Sequence, residues 1–279
     1  MNLAARHETF HGLHQSGTFV IPNPWDLGSA RMMAALGARA LATTSSGFAF
    51  TLGRPDMGQV SRDEALAHAA AILAATPLPV SGDFENGFGD APDAVAETVR
   101  LAGEIGLSGC SIEDTQMVDG NPAYDFDLAV ERVKAGAAAA RALGRPFIFC
   151  ARADGVMNGS YDLAEGIRRI QAFEAAGADL LYVPIVANLD ELAQVCSAVT
   201  KPVNALAAGA LIGHSVGEIA AAGARRISLG GSIARRTHAI IRDSLTEMLG
   251  AGTFSSLSGS IGGSAVDPLL IAGSGVQSA

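Results

Sequence analysis

Ile105-Gly106-Leu107-Ser108-Gly109-Cys110-Ser111-Ile112-Glu113-Asp114 is the stretch on which the fold turns. A helical segment ends at a glycine, which supplies a left-handed cap. An apolar run then begins and closes on two acids. That run is too apolar to be half exposed, as befits a parallel strand covered on both faces. The same order recurs in both directions along the chain. Candidate strands lie at 18–22, 40–44, 78–83, 109–113, 147–151, 180–184, 202–206 and 226–229. Helically spaced segments separate them, among them 63–75, 92–105, 128–143 and 162–176. Comparable caps stand at Gly37, Gly144, Gly177 and Gly223. Eight βα units of roughly 25 to 40 residues predict an α/β fold, a single-domain (β/α)8 TIM-type barrel over residues 1–248. A doubly wound open sheet is the competing arrangement.

Composition narrows the function. The 28 acidic residues against 19 basic ones give a formal charge of −9, which opposes nucleic acid. Three cysteines, Cys110, Cys150 and Cys196, lack the close spacings of zinc or redox sites and read as reduced, mostly buried thiols. No signal-peptide pattern and no apolar run long enough to span a membrane is visible, so a cytoplasmic protein is expected. His7, His11 and His14 share a helical face and read as part of a solvated N-terminal helix. Residues 249–279, rich in Gly and Ser, read as a partly flexible tail around an apolar patch at 268–271. The loop at 48–61 is long for a βα connection, as active-site lids are.

Catalytic residues of barrels sit at the C-terminal strand ends, and here those ends are polar. They read Thr44-Ser45-Ser46-Gly47, Asp83-Phe84-Glu85, Glu113-Asp114, Arg152-Ala153-Asp154 and Asn204. Asp83 and Glu85, two apart in an extended segment, should face one side. With Glu113 on the next strand they form three like charges that call for a cation or an arginine. An oxygen-only set suits Mg²⁺ or Mn²⁺ rather than zinc. The competing reading pairs these acids with Arg152 in a structural network. Arg152 offers a guanidinium fork to a carboxylate or phosphonate, or a salt bridge to Asp154 or Glu113. Ser45, Ser46 and Gly47 could form a small anion nest. Leu229-Gly230-Gly231-Ser232 is similar to barrel phosphate turns and reads equally as a tight turn into the last helix. His214 reads as a helix-start residue.

Taken together these motifs resemble the isocitrate lyase and phosphoenolpyruvate mutase superfamily, from about Pro22 to about Ala239. Thr44-Ser45-Ser46-Gly47 is similar to its substrate-binding turn, and Leu52-Gly53-Arg54-Pro55-Asp56 to its gating loop. Asp83-Phe84-Glu85-Asn86-Gly87-Phe88-Gly89 stands at its acidic segment, Ser111-Ile112-Glu113-Asp114 at its second metal motif, and Ala151-Arg152-Ala153-Asp154 at its arginine motif. The resemblance implies a Mg²⁺ enzyme, with Mn²⁺ as a substitute, that makes or breaks a C–C or P–C bond of a small α-keto or α-hydroxy carboxylate through a pyruvate-type enolate. It implies metal ligands Asp83, Glu85 and Glu113 and catalytic roles for Arg152, Asp56 and Glu113. Ser45, Ser46, Gly47, Asn204 and Trp25 would bind substrate. It also implies a homo-oligomer, dimer or tetramer, with C-terminal helices exchanged between subunits.

Three departures limit the reading. The lyase segment K-[KR]-C-G-H is absent, because Asp114 is followed by Thr115-Gln116-Met117-Val118-Asp119-Gly120-Asn121-Pro122. The mutase branch's lysine is missing as well, and Glu85 replaces an aspartate. A non-catalytic oxo-acid-binding barrel is therefore the alternative to a lyase, decarboxylase or phosphonopyruvate-type enzyme.

Overall fold

The computed structural model describes residues 2–275. Its strands are β1 Phe19–Ile21, β2 Leu41–Ala42, β3 Val80–Asp83, β4 Gly109–Glu113, β5 Ile148–Arg152, β6 Leu180–Tyr182, β7 Val203–Leu206 and β8 Arg226–Ser228. They form one parallel sheet in the order β1-β8-β7-β6-β5-β4-β3-β2. At the seam between β1 and β2, Ala42 N–H donates to Pro22 O at 3.1 Å and Asn23 Nδ2 donates to Thr43 O at 3.0 Å. The sheet thereby closes into the expected barrel, which leaves no open edge.

The helices are α1 Leu3–Leu13, α2 Leu27–Ala35, α3 Ser45–Thr51, α4 Arg62–Ala75, α5 Pro92–Glu104, α6 Phe126–Ala142, α7 Gly155–Asn158, α8 Leu163–Ala175, α9 Leu189–Ser197, α10 Val216–Ala221, α11 Ser232–Gly250 and α12 Gly263–Gly273. Most strands are a residue or two shorter than expected, several stopping at or beside a proline (Pro22, Pro79, Pro184, Pro202) that has no N–H for the ladder. Thr44 leaves β2 to cap α3, its Oγ1 accepting from Gly47 N–H. The expected 48–61 loop consequently begins inside α3 and runs freely only from Leu52 onward.

Two expectations change, and His214 keeps its place at a helix start. His7 and His14 are buried rather than solvated, because α1 packs Phe10 and Leu13 against Phe19, Ile21, Ile148 and Cys150 and so closes one end of the barrel. The histidines on that face turn inward. His7 Nδ1 lies 3.0 Å from Ser108 Oγ, and His14 Nδ1 donates to Phe10 O at 2.8 Å. Within the Gly/Ser-rich stretch the apolar patch 268–271 belongs to helix α12, and residues 276–279 of that stretch lie outside the described residues. Packing against this chain's own α2 outweighs the weak helix propensity: a Cβ on Gly273 would lie 1.8 Å from Arg31 O. His214 precedes the cap residue Ser215 of α10 and faces Glu218 at 3.5 Å.

Candidate active site

Strand register brings the chemistry to one level at the C-terminal mouth. Asp83 pairs with Ser111, Glu113 with Arg152, and Arg152 with Tyr182. They border a cavity of about 160 Å³. Arg152 ends β5 and is clasped by three acids. Its Nη1 lies 2.9 Å from Asp83 Oδ1 and 3.2 Å from Glu113 Oε1. Its Nε and Nη2 donate to the two oxygens of Asp154 at 3.0 and 2.5 Å. Asp83 is held from the other side by Ser45, whose N–H and Oγ both donate to Oδ2 at 2.9 Å. A carboxylate at a helix N-terminus is favoured by the peptide dipoles of α3.

The region carries more negative charge than its arginine can balance. Burial raises the carboxyl pKa of Asp56 and Asp154, raises that of Glu113 well above the usual range, and pushes Glu85 up to about 7. Neighbouring carboxylates add to the effect at each. An all-oxygen donor set with surplus negative charge fits a hard divalent cation in charge and chemistry. In the present arrangement Arg152 Nη1 stands between Asp83 and Glu113, and among the described residues no three His, Cys, Asp or Glu side chains converge as a ready-made ion cage.

Glu85 departs from expectation. The strand stops at Asp83 and Glu85 adopts φ +45°, so the two carboxylates do not project from one extended face. Glu85 Oε1 instead accepts the N–H of Gly58 at 3.0 Å, which ties the β3–α5 loop to the lid. The extra methylene relative to aspartate gives that reach. The serine-glycine turn is the first turn of α3, and two of its supposed anion donors are engaged internally: Ser45 N–H by Asp83 and Gly47 N–H by Thr44. Ser45 and Ser46 line the cavity, as do Asp56, Asp83, Glu113 and Arg152.

Glu85, Gly47, Trp25 and Asn204 are not among its lining residues. Gly47 gives the close approach of Trp25 and Thr44, since a Cβ there would lie 3.0 Å from Trp25 Cβ and 2.6 Å from Thr44 Cγ2. Asn204 is fully buried, accepting from Arg226 Nε at 2.7 Å and donating to Ser228 Oγ at 2.9 Å. Its amide is consumed within the barrel.

Residues missed from the sequence complete the walls. Ser111 donates to Asp83 Oδ1 at 3.2 Å and stands two before Glu113 on the same strand face, a period that could have revealed it. Tyr182, Arg226 and Ser228 also point inward by alternation. Arg235 comes from the first turn of α11, close to Ser46: a Cβ on Gly231 would meet Ser46 Oγ at 2.5 Å and Arg235 Nη1 at 2.9 Å.

An arginine-centred, acid-rich mouth under a lid, on a closed parallel barrel, defines a class of barrel enzyme. A sequence profile for the phosphoenolpyruvate phosphomutase family matches residues 10–249. The chain belongs to that family, within the isocitrate lyase and phosphoenolpyruvate mutase superfamily. It is 35% identical over 225 residues to an uncharacterised protein of Mycobacterium tuberculosis, covering 80% of this chain and 81% of that one. It is 29% identical over 202 residues to 2,3-dimethylmalate lyase of Eubacterium barkeri, covering 70% and 68%. The crystal structure of a Burkholderia cenocepacia J2315 protein, provisionally assigned as a lyase or mutase, superposes with a TM-score of 0.90 at 45% identity over 95% of each chain. Among the described residues no helix is long and apolar enough to cross a membrane.

Proposed function

We propose that this protein is a Mg²⁺-dependent enzyme, able to use Mn²⁺, that cleaves a C–C or P–C bond of a small α-oxo or α-hydroxy carboxylate through a pyruvate-type enolate. The observation that carries the reading is the clasp of Arg152 between Asp83 and Glu113 at the end of β5, inside a lidded cavity. Asp83, Glu85 and Glu113 would hold the ion, which when bound supplies positive charge against the enolate. Arg152 supplies a second, fixed positive charge that needs no reorganisation as the oxygen becomes anionic. Ser46, with Arg235 beside it, would seat the carboxylate, and Ser45 would join them only by releasing Asp83. The lid, latched to Glu85 through Gly58, excludes water and brings Asp56 into the cavity wall.

The reading also takes the protein as a cytoplasmic homo-oligomer. Its free cysteines suit a reducing compartment, and Ile240, Ile241, Leu245 and Leu249 on α11 leave apolar surface uncovered. Calorimetry with oxalate, which resembles the enolate of pyruvate, tests the site. Binding that requires Mg²⁺, vanishes with EDTA and weakens on Arg152→Gln is expected. Oxalate binding indifferent to metal and to Arg152 would sink the proposal.

A further inference from the structure

We infer that Arg226 is a specificity-determining residue of the cavity: it seats an anionic group, carboxylate or phosphonate, at the far end of the ligand, across the bore from the Arg152 clasp. The inference rests on the enolate site proposed above and assigns the residue that reads the rest of the substrate.

Position comes first. Arg152 on β5 pairs with Tyr182, Tyr182 with Asn204, and Asn204 with Arg226 on β8. Arg226 therefore stands three strands round an eight-stranded barrel from Arg152, on the other side of the bore. It lies two residues from Ser228 and so shares that residue's inward face. Both arginines border the same cavity of about 160 Å³, so a small acid held by the clasp at one end has its other end before Arg226. Leu206 and Ala208, from the end of β7 and just beyond it, make the intervening wall apolar.

Charge decides what Arg226 can take. Arg152 is surrounded by Asp83, Glu113 and Asp154, whereas Arg226 makes no salt bridge among the described residues. Its Nε donates to Asn204 Oδ1 at 2.7 Å, its Nη2 lies 3.6 Å from Cys150 Sγ, and its Nη1 is buried without a partner. The residue is 4% exposed. Burial lowers its pKa, and the neighbours that oppose this, Cys150 and Tyr182, are themselves kept protonated by burial. A guanidinium nevertheless stays charged in a protein. A buried cation among neutral partners is costly until an anion joins it.

The fork has the means to accept one. A thiol is a weak partner, so Nη2 gives up little when the guanidinium turns toward the cavity, and Nη1 gives up nothing. Two N–H branches then face a carboxylate or phosphonate in the geometry that suits both. A ligand ending in an uncharged group leaves the cation unpaired and is disfavoured for that reason. Arg235 does not duplicate this role, because it is exposed at the rim and lies beside Ser46 at the near carboxylate.

The test uses three ligands alike in shape: malate, 3-phosphonolactate and 2-hydroxy-4-methylpentanoate, whose far ends are a carboxylate, a phosphonate and an uncharged isopropyl group. Calorimetry on the intact protein with Mg²⁺ reads each affinity for the parent, Arg226→Met and Arg226→Gln. Oxalate, too short to span the bore, reports on the enolate site in parallel. Expected is a preference of about tenfold or more for at least one dianion over 2-hydroxy-4-methylpentanoate in the parent, falling to about threefold or less in both variants, with oxalate weakened far less than that dianion. The tighter of malate and 3-phosphonolactate identifies the anion. A parent without the preference, or variants that keep it, overturn the inference. So does an equal loss of all four ligands, which reduces Arg226 to a support for Asn204. Should Arg226→Met fail to fold, an unchanged preference in Arg226→Gln is the overturning result. Oxalate binding indifferent to Mg²⁺ defeats the enolate site instead, and the dianion preference still reads Arg226.

Discussion

Replacing Arg152 by methionine keeps an unbranched apolar stem and removes the charge on which three acids converge. Asp83, Glu113 and Asp154 have side-chain exposures of 16%, 4% and 1%, so water screens little of the loss. Removing one partner of a buried pair costs roughly 3–5 kcal/mol, and three stranded acids would exceed that if all stayed ionised. Glu113 limits the damage, because burial already raises its carboxyl pKa and it takes up a proton readily. A net loss of about 3–5 kcal/mol is therefore expected. At ~2–4 °C per kcal/mol for a chain of this size, Tm should fall by about 6–20 °C.

The pH dependence has a definite sign. Burial raises the folded pKa of Glu113 and Asp154 above the unfolded value, so their penalty is full above the folded value and fades as pH falls toward the unfolded value. The deficit of Arg152→Met relative to the parent should shrink between pH 7.5 and pH 5, and added Mg²⁺ should shrink it at pH 7.5. Scanning calorimetry of both proteins at the two pH values, with and without the ion, reads all of this. A deficit under about 1 kcal/mol, the worth of an exposed pair, or one that grows on acidification, would refute the account of the clasp.

His14, whose pKa burial lowers to about 3, must stay neutral in the fold. Against an unfolded value of ~6.5, acidification from pH 8 to pH 5 should withdraw about 2 kcal/mol, and His14→Phe should flatten that part of the urea-denaturation profile. Glu85→Ala frees the Gly58 N–H from a charge-assisted bond of roughly 1.5–3 kcal/mol, so hydrogen exchange across residues 52–61 should accelerate by about tenfold or more. Glu85→Gln retains an acceptor oxygen and should show a smaller effect, and equal exchange in both would remove Glu85 as the latch. Gly109→Ala brings a Cβ to 2.5 Å from Ile148 O and 3.0 Å from Phe10 Cε1. It should cost about 3 kcal/mol in a urea titration, since neither the strand nor the helix behind it can yield cheaply.

Periodicity made the barrel legible because buried strands and glycine-capped helices are local signals. Leu180 to Tyr182 needs no distant partner to be read as a strand. The levels of Asp83, Glu113 and Arg152 followed from that reading, since strand ends in a closed barrel share one rim. What failed depended on contacts far apart in the chain. Glu85 looked extended beside Asp83, yet its conformation answers to Gly58, 27 residues away. Asn204 looked like a substrate ligand until Arg226, on the next strand, claimed its amide. His7 and His14 carried the right helical spacing, but spacing does not say which face meets the barrel. The composition between 249 and 275 could not say that its apolar patch forms a helix, α12, against α2.

The same long-range dependence fixes the mouth of the barrel. Arg132, fully surrounded on α6, donates to the carbonyls of Asn86, Gly89 and Asp90 and lies 4.0 Å from the Tyr124 ring, which pins the loop after Glu85 from behind. Arg169 on α8 reaches Asp114 at 3.0 Å and Tyr124 O at 2.9 Å. Asp114 in turn accepts the N–H of Asp154 at 2.8 Å, and Asp154 holds Arg152. Outer helices thus fix Arg152 through an unbroken series of charged and backbone contacts. Helices position such groups more accurately than loops, which suits a charge that must meet an enolate without moving. The lid meets this framework at Glu85, whose carboxyl accepts the Gly58 N–H. On the proposed function, the Gly58 latch and a metal held by Glu85 would draw on the same carboxylate.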